Sequence, residues 1–180
     1  MPELASLSNQ SDQHYSYYDD KSNDSFIAAL DSLEAYVEAE GPFDGVMAYS
    51  QGAGLVAMLL VRRQCLCPDI TPLFRCAILF SPGNVFDPLA YLETGEVKVL
   101  DRVPAGRSAL SIPVVIIYGE EDEMGDGSSQ FAALCNPDLL SVYVHEGGHE
   151  VPGLGANKGL QEAVKTARRG VIRAELATFA

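Results

Sequence analysis

A serine between small residues is the first feature of this chain that could do chemistry. Residues 48–52 read Ala-Tyr-Ser-Gln-Gly, which has the form small-x-Ser-x-Gly. In that form, small neighbours permit a tight strand-to-helix turn that presents Ser50 as a nucleophile. The motif is short, but it lies between an apolar run that predicts a strand and an apolar run that predicts a helix, as such a turn requires. The alternative is a serine that only caps that helix.

A serine hydroxyl becomes a useful nucleophile when a base accepts its proton, so the chemistry requires a histidine. Of the three histidines, His14 lies in a polar lead-in, and the other two frame the sequence His-Glu-Gly-Gly-His at 145–149. We prefer His149, because the preceding glycines let the loop bend back towards Ser50. His145 continues a predicted strand and is the alternative, and a loop-bracing role for either histidine stays open.

The third member of such a site is an acid that orients the histidine. Residues 118–123 read Tyr-Gly-Glu-Glu-Asp-Glu directly after an apolar strand, and Asp122 is our choice there. Glu121 and Asp126 are alternatives, and the acidic cluster could also be a solvated loop. The order Ser, Asp, His along the chain is the order of α/β-hydrolases, and each member follows its own predicted strand.

The elements that must position these residues alternate along the chain. Apolar periodicity predicts helices at 25–40, 53–63, 128–134 and 158–179, and strands at 43–49, 75–80, 113–118 and 139–144. The strands are continuously apolar, which is typical of a parallel sheet covered on both faces. The sequence therefore predicts an α/β fold with a parallel sheet flanked by helices. Residues 84–111 fit neither pattern and are expected to form a cap or lid insertion.

Length and composition limit the protein class. The 180 residues predict one domain covering 1–180. Acidic residues number 25 against 12 basic ones, giving a net charge of −13, which disfavours nucleic acid and anionic membranes as partners. The longest apolar stretches, such as 53–61, are too short to span a bilayer, and the N-terminus does not resemble a signal peptide. We expect a soluble, cytoplasmic protein.

The chain contains four cysteines. They are too few for a disulfide scaffold, and no Cys or His pair has the spacing of zinc ligands. Reduced, mostly buried thiols are expected, with Cys65 and Cys67 as a redox or metal pair the alternative.

Four blocks of sequence resemble the FSH-type (family of serine hydrolases) α/β-hydrolases: GPFDGV at 41–46, YSQGA at 49–53, GEED at 119–122 and GGHEVP at 147–152. The resemblance covers about residues 15–175, although Ala48 stands where the family usually has Gly. It implies that Ser50, Asp122 and His149 match the family's triad, and that the protein cleaves a carboxylic ester or an acyl thioester. In fungi, several members of this family are thioesterases that release polyketides from a carrier protein.

The resemblance also implies an oxyanion hole with two backbone N–H donors. One is the N–H of Gln51, and the other comes from a His-Gly-rich loop after an N-terminal strand. No such loop precedes residue 45, so an N-terminally truncated sheet, or a hole rebuilt from elsewhere, is expected. Loss of one donor costs about 10²- to 10³-fold in kcat. A non-catalytic acyl-binding or scaffold protein is therefore an alternative function, and acyl transfer or cyclisation is another.

Triad chemistry requires no cofactor and no metal ion. The expected partner is a small-molecule acyl ester or thioester, with a carrier protein and a homodimer as open alternatives. The net charge of −13 disfavours broad docking of an acidic carrier protein. Six apolar residues could line an acyl pocket or could be ordinary core and loop residues: Tyr15, Tyr17, Tyr18, Phe86, Leu89 and Tyr91.

Overall fold

The computed structural model describes residues 15–19, 22–102, 110–153 and 157–177. Helices in these ranges are α1 (Asn23–Glu40), α2 (Gln51–Leu66), α3 (Pro88–Thr94), α4 (Gly125–Leu134) and α5 (Asn157–Ala177). The strands are β1 (Gly45–Tyr49), β2 (Cys76–Phe80), β3 (Val114–Gly119) and β4 (Leu140–His145). The predicted helices and strands are therefore found within a few residues of their expected bounds.

The four strands form one parallel sheet in the order β1-β2-β3-β4. Each strand is joined to the next by a segment that contains a helix, as parallel pairing requires. The prediction of a parallel sheet flanked by helices is thus confirmed. Because all four strands run in the same direction, the loops after β1, β2, β3 and β4 meet at one edge of the sheet, where α/β proteins place their ligands.

Both faces of the central strands are buried. One face of β2 and β3 packs against α5, where Ile78, Val115 and Ile117 surround Ala163. A Cβ atom on Gly170 of α5 would come 2.4 Å from Cγ2 of Val115, so this glycine lets the helix lie close to the sheet. The opposite face packs into the main core formed with α1 and α2. This two-sided burial explains the continuously apolar strands.

Helix α2 follows Ser50 directly and is buried along most of its length. Its Arg62 is buried as well, and the guanidinium bonds to Asp31 and Glu34 of α1. Paired carboxylates compensate for the loss of solvent around a buried charge. The helix that carries the nucleophile at its N-terminus is therefore fixed both by the core and by α1.

Strand β1 lies at the edge of the described sheet. Its residues alternate between exposed and half-buried, and Met47 is 66% exposed. A groove lined by residues of α1, β1 and α2, including Leu33 and Met47, runs beside it. In the described part of the chain, β2 is the strand that pairs with β1.

Residues 84–111 contain an element that the sequence pattern missed. Helix α3 is capped by the Asp87 side chain, which accepts from the N–H groups of Leu89 and Ala90. At seven residues it is too short to show a helical period. Before α3, Phe86 forms an antiparallel bridge with Val99. Residues 103–109 lie outside the described residues, and a cap role for 84–111 stays a prediction.

None of the four cysteines, all of which lie in the described ranges, forms a disulfide, and Cys65, Cys76 and Cys135 are buried. Burial raises the pKa of the Cys135 thiol to about 12, so it stays protonated at neutral pH and is a poor nucleophile. Among the described helices, none is long and apolar enough to cross a membrane.

Candidate active site

Ser50 occupies a strained turn between β1 and α2. Its φ of 55° lies in the left-handed region, which non-glycine residues rarely adopt. The turn is held by its backbone, since Ser50 N–H donates to the Phe80 carbonyl at 2.9 Å and the Gly54 N–H donates to the Ser50 carbonyl at 3.0 Å. The Ser50 side chain makes no capping hydrogen bond to α2, so the alternative of a simple helix cap is not supported.

The glycines after Ser50 make room for this turn. A Cβ atom on Gly52 would come 3.2 Å from Cε2 of Tyr17, and one on Gly54 would come 3.0 Å from the carbonyl oxygen of Pro82. Larger side chains would therefore push the helix away from the neighbouring loops.

Ser50, His149 and Asp122 are joined in one chain of hydrogen bonds. Ser50 Oγ lies 2.7 Å from His149 Nε2, and His149 Nδ1 lies 3.0 Å from Asp122 Oδ1. The three residues follow β1, β4 and β3 respectively, as expected from the sequence. The structure therefore brings the three predicted residues together at the carboxyl edge of the sheet.

Close contact between two loops makes this arrangement possible. Glu120 N–H donates to the His145 carbonyl at 2.8 Å, and Glu121 N–H donates to the Gly147 carbonyl at 3.0 Å. A Cβ atom on Gly119 would come 2.0 Å from the Gly147 oxygen. Glycine at position 119 thus permits the loop that carries the acid to lie against the loop that carries the histidine.

The environment of Asp122 favours its ionised form. Its side chain is fully buried, and burial by itself raises the pKa of the carboxyl. Hydrogen bonds with the Met124 N–H and His149, together with the nearby Ser81 hydroxyl, outweigh burial, so the pKa of this carboxyl lies below its ordinary value. An ionised Asp122 holds a proton on His149 Nδ1 and leaves Nε2 free to accept the Ser50 proton.

The alternative residues lie elsewhere. His145 is the last residue of β4, is buried, and its Nε2 lies 3.2 Å from the Glu150 carbonyl oxygen. It therefore braces its own loop. Glu121 and Asp126 have exposed side chains, and Asp126 lies in the first turn of α4.

Gln51 has a second role that the sequence did not reveal. Its side-chain oxygen accepts from the Tyr17 N–H at 2.8 Å, and its side-chain nitrogen donates to the Tyr18 carbonyl at 3.0 Å. These bonds hold the 15–19 segment beside the nucleophile. They also occupy the Tyr17 N–H, so that group is not available as an oxyanion donor.

Tyr49 is a further residue that sequence reasoning missed. Its hydroxyl donates to the His149 carbonyl at 2.6 Å, and its ring lies 5.3 Å from the imidazole ring. Its position beside the nucleophile was the available signal, but the contact joins residues 100 positions apart in the sequence and depends on the fold.

Three of the aromatic residues considered for an acyl pocket instead surround Phe26. Tyr18, Phe86 and Tyr91 each meet the Phe26 ring edge-on, with centroid distances of 5.7, 6.2 and 6.2 Å. Tyr18 is buried, as is typical of a core residue. Tyr17 is exposed and lies beside Gly52, and a role for it in an acyl pocket stays a prediction.

The described ranges contain no group of three or more His, Cys, Asp or Glu residues that could hold a metal ion.

Comparison with known proteins places this site in context. The model of a family described as serine hydrolase (FSH1) matches residues 3–159. Esterase FPY3 of Fusarium mangiferae is 36% identical over 141 residues, which cover 78% of this chain and 63% of that protein. Hydrolase FUB4 of Gibberella moniliformis is 37% identical, with 69% of this chain and 66% of that protein covered. The chain therefore spans less than two thirds of the length of these relatives.

A solved structure shows the same fold. It is a predicted CIB-like hydrolase from Thermoplasma acidophilum, which superposes with a TM-score of 0.52 over 89% of this chain and 67% of that chain. The two sequences are 16% identical, so this likeness concerns the α/β-hydrolase fold alone.

Proposed function

The chain belongs to the FSH1 serine hydrolase family, and from this premise we propose that it hydrolyses carboxylic esters or acyl thioesters through an acyl-enzyme on Ser50. The observation that carries the proposal is the hydrogen-bonded chain from Ser50 Oγ through His149 to Asp122. Membership of the family supports a hydrolase, and the names of relatives such as esterase FPY3 favour an ester substrate.

The proposed reaction has two halves. In the first, Ser50 Oγ attacks the acyl carbon while His149 Nε2 takes the hydroxyl proton, and His149 then gives that proton to the departing alcohol or thiol. In the second, His149 removes a proton from water, which attacks the acyl carbon, and Ser50 regains its proton as the acid leaves. Asp122 stays ionised throughout and stabilises the imidazolium that forms in each half.

The oxyanion formed in each half requires hydrogen-bond donors. We assign one to the N–H of Gln51, which is the first residue of α2. An N–H in the first turn of a helix has no acceptor within the helix and lies at the positive end of the helix dipole. Since Tyr17 N–H is bonded to the Gln51 side chain, a second donor has to come from a residue other than Tyr17.

The leaving group of the substrate decides between an esterase and a thioesterase. We propose that the substrate is a small-molecule acyl ester or thioester and that the enzyme acts in fungal secondary metabolism. Among thioesters, a carrier-protein conjugate is the less favoured form because the chain carries a net charge of −13 and carrier proteins are usually acidic.

The proposal is tested by comparing oxygen and sulfur leaving groups on the same enzyme. We expect turnover of p-nitrophenyl butyrate, and release of thiol from a butyryl thioester of N-acetylcysteamine would extend the activity to thioesters. The matched control is the same protein inactivated by a fluorophosphonate, with the labelled residue identified as Ser50 by mass spectrometry. Folded protein that is not labelled and has no rate above this control would contradict hydrolysis and favour a binding protein.

Replacing Asp122 by Asn is expected to lower kcat about 10⁴-fold. The asparagine side chain fits the same space, but it no longer supplies the charge that fixes the His149 tautomer. Steady-state turnover of p-nitrophenyl butyrate measures the loss, with Glu121→Gln and Asp126→Asn as controls expected to stay near the wild-type rate. A larger loss in Glu121→Gln than in Asp122→Asn would show that the acid is assigned wrongly.

A further inference from the structure

A second serine lies next to the nucleophile at the edge of the sheet. Ser81 follows β2 directly, and because Tyr49 of β1 pairs with Phe80 of β2, Ser50 and Ser81 occupy neighbouring positions. Ser81 has a φ of 46°. These two serines are the non-glycine residues with positive φ in the described part of the chain.

The conformation of Ser81 disfavours any residue except glycine, yet a serine is found there. Its N–H donates to the Ile117 carbonyl at 2.8 Å, and the residue is 1% exposed. A glycine would adopt this backbone without strain. Strain of this kind persists where the surrounding structure imposes it, and it is concentrated at functional sites. A buried serine at this strained position therefore points to a role for its hydroxyl.

The hydroxyl of Ser81 and one oxygen of Asp122 are complementary. Within the described ranges, Ser81 Oγ and Asp122 Oδ2 are the buried side-chain atoms that lack a hydrogen-bond partner within normal limits of distance and angle. One is a donor and the other an acceptor. The hydroxyl is nevertheless among the contacts that lower the pKa of the Asp122 carboxyl, which places it beside that carboxylate.

We infer that Ser81 is a positioning residue whose hydroxyl donates to Oδ2 of Asp122 and so aims Oδ1 at His149, an assignment that rests on the proposed function. The Met124 N–H already donates to Oδ1 at 2.9 Å, and His149 Nδ1 shares that oxygen at 3.0 Å. With the Ser81 hydroxyl donating to Oδ2, both oxygens of the carboxylate accept hydrogen bonds, and the orientation of the carboxylate plane is fixed.

The contact between Ser81 and Asp122 can be tested through the pH dependence of kcat/KM. The acid limb of that profile depends on protonation of the Asp122–His149 pair. His149, from the loop after β4, is the titratable group that acts on Asp122. Ser81, from the loop after β2, and the Met124 N–H, on the same loop as Asp122, are the other groups that lower its pKa. Removing a donor from a carboxylate makes its ionised form less stable. The Asp122–His149 pair then takes up a proton more readily, and the acid limb of kcat/KM moves to higher pH.

Ser81→Ala and Ser81→Gly both remove the hydroxyl, and Ser81→Gly also relieves the backbone strain. We expect both to unfold near the wild-type temperature, to react with a fluorophosphonate roughly tenfold more slowly at neutral pH, and to show the acid limb at higher pH. The matched control is Ser128→Ala. Ser128 Oγ accepts from the Gly83 N–H at 3.1 Å, so this variant disturbs the same loop without removing a donor to Asp122.

The outcomes separate this inference from the proposed function. A wild-type profile in both Ser81 variants, or an equal shift of the acid limb in Ser128→Ala, overturns the role of Ser81 while leaving the hydrolase intact. Failure of the wild-type protein to be labelled at Ser50 overturns the proposed function itself. A shifted acid limb in both Ser81 variants, with an unshifted limb in Ser128→Ala, supports the positioning role.

Discussion

Replacing Ser50 by Ala is expected to lower kcat for p-nitrophenyl butyrate by on the order of 10⁶-fold and to abolish labelling by a fluorophosphonate. The hydroxyl that forms the acyl-enzyme is absent from this variant, and no other side chain on the His149–Asp122 chain can replace it. Residual turnover then comes from substrate binding and the oxyanion donors alone.

The fold is expected to survive this substitution. Alanine is as strained as serine at a φ of 55°, and the Ser50 side chain makes no bond to the α2 backbone. The matched control is Ser111→Ala. Ser111 is an exposed serine whose hydroxyl donates to the Gln64 side chain. It precedes β3 and so lies towards the amino edge of the sheet, opposite the edge that carries Ser50, and its loss should leave turnover unchanged. A wild-type rate in Ser50→Ala would place the reaction elsewhere on the protein.

The sequence predicted the sheet because its strands are unusually regular. Residues such as Val115 and Ile116 are fully buried, and a strand covered on both faces has to be apolar at every position. Ser50, Asp122 and His149 each follow a different predicted strand. Because the strands are parallel, the three residues were expected to meet at the same edge of the sheet. That argument required only the direction of the strands and the lengths of the loops.

The supporting contacts could not be predicted in the same way. Tyr49 and Gln51 were visible in the motif, but their bonds to the His149 carbonyl and to the 15–19 segment depend on how distant loops come together. Ser81 could be suspected only from its place after β2, because nothing in the sequence shows a positive φ. Such contacts depend on rotamers and backbone angles, which periodicity does not encode.

Edge strand β1 shows a related limit. Its apolar composition predicted a strand covered on both faces, yet in the described structure Met47 is 66% exposed and Tyr49 42% exposed. An apolar composition shows that a strand is suited to a buried position. How exposed its side chains are depends on the strands and helices that pack against it. The nucleophile turn is nonetheless anchored from the other side, by the Ser50 N–H bond to Phe80 of β2 and by burial of α2.

Replacing His149 by Ala is expected to lower kcat by on the order of 10⁶-fold, because the base that accepts the Ser50 proton is lost. This variant also leaves a space that a free imidazole can fill. The His149 side chain is 21% exposed, so the space is open to solvent. We therefore expect added imidazole to restore part of the turnover of p-nitrophenyl butyrate, in proportion to the concentration of its neutral form.

His145→Ala is the matched control for this experiment. His145 is 5% exposed and braces its loop through the Glu150 carbonyl, so its loss should lower the temperature of unfolding more than the rate of the folded protein. Imidazole should have no effect on it, because the base at position 149 is still present. A greater loss of kcat in His145→Ala than in His149→Ala, or rescue of His145→Ala alone, would reverse the assignment of the base.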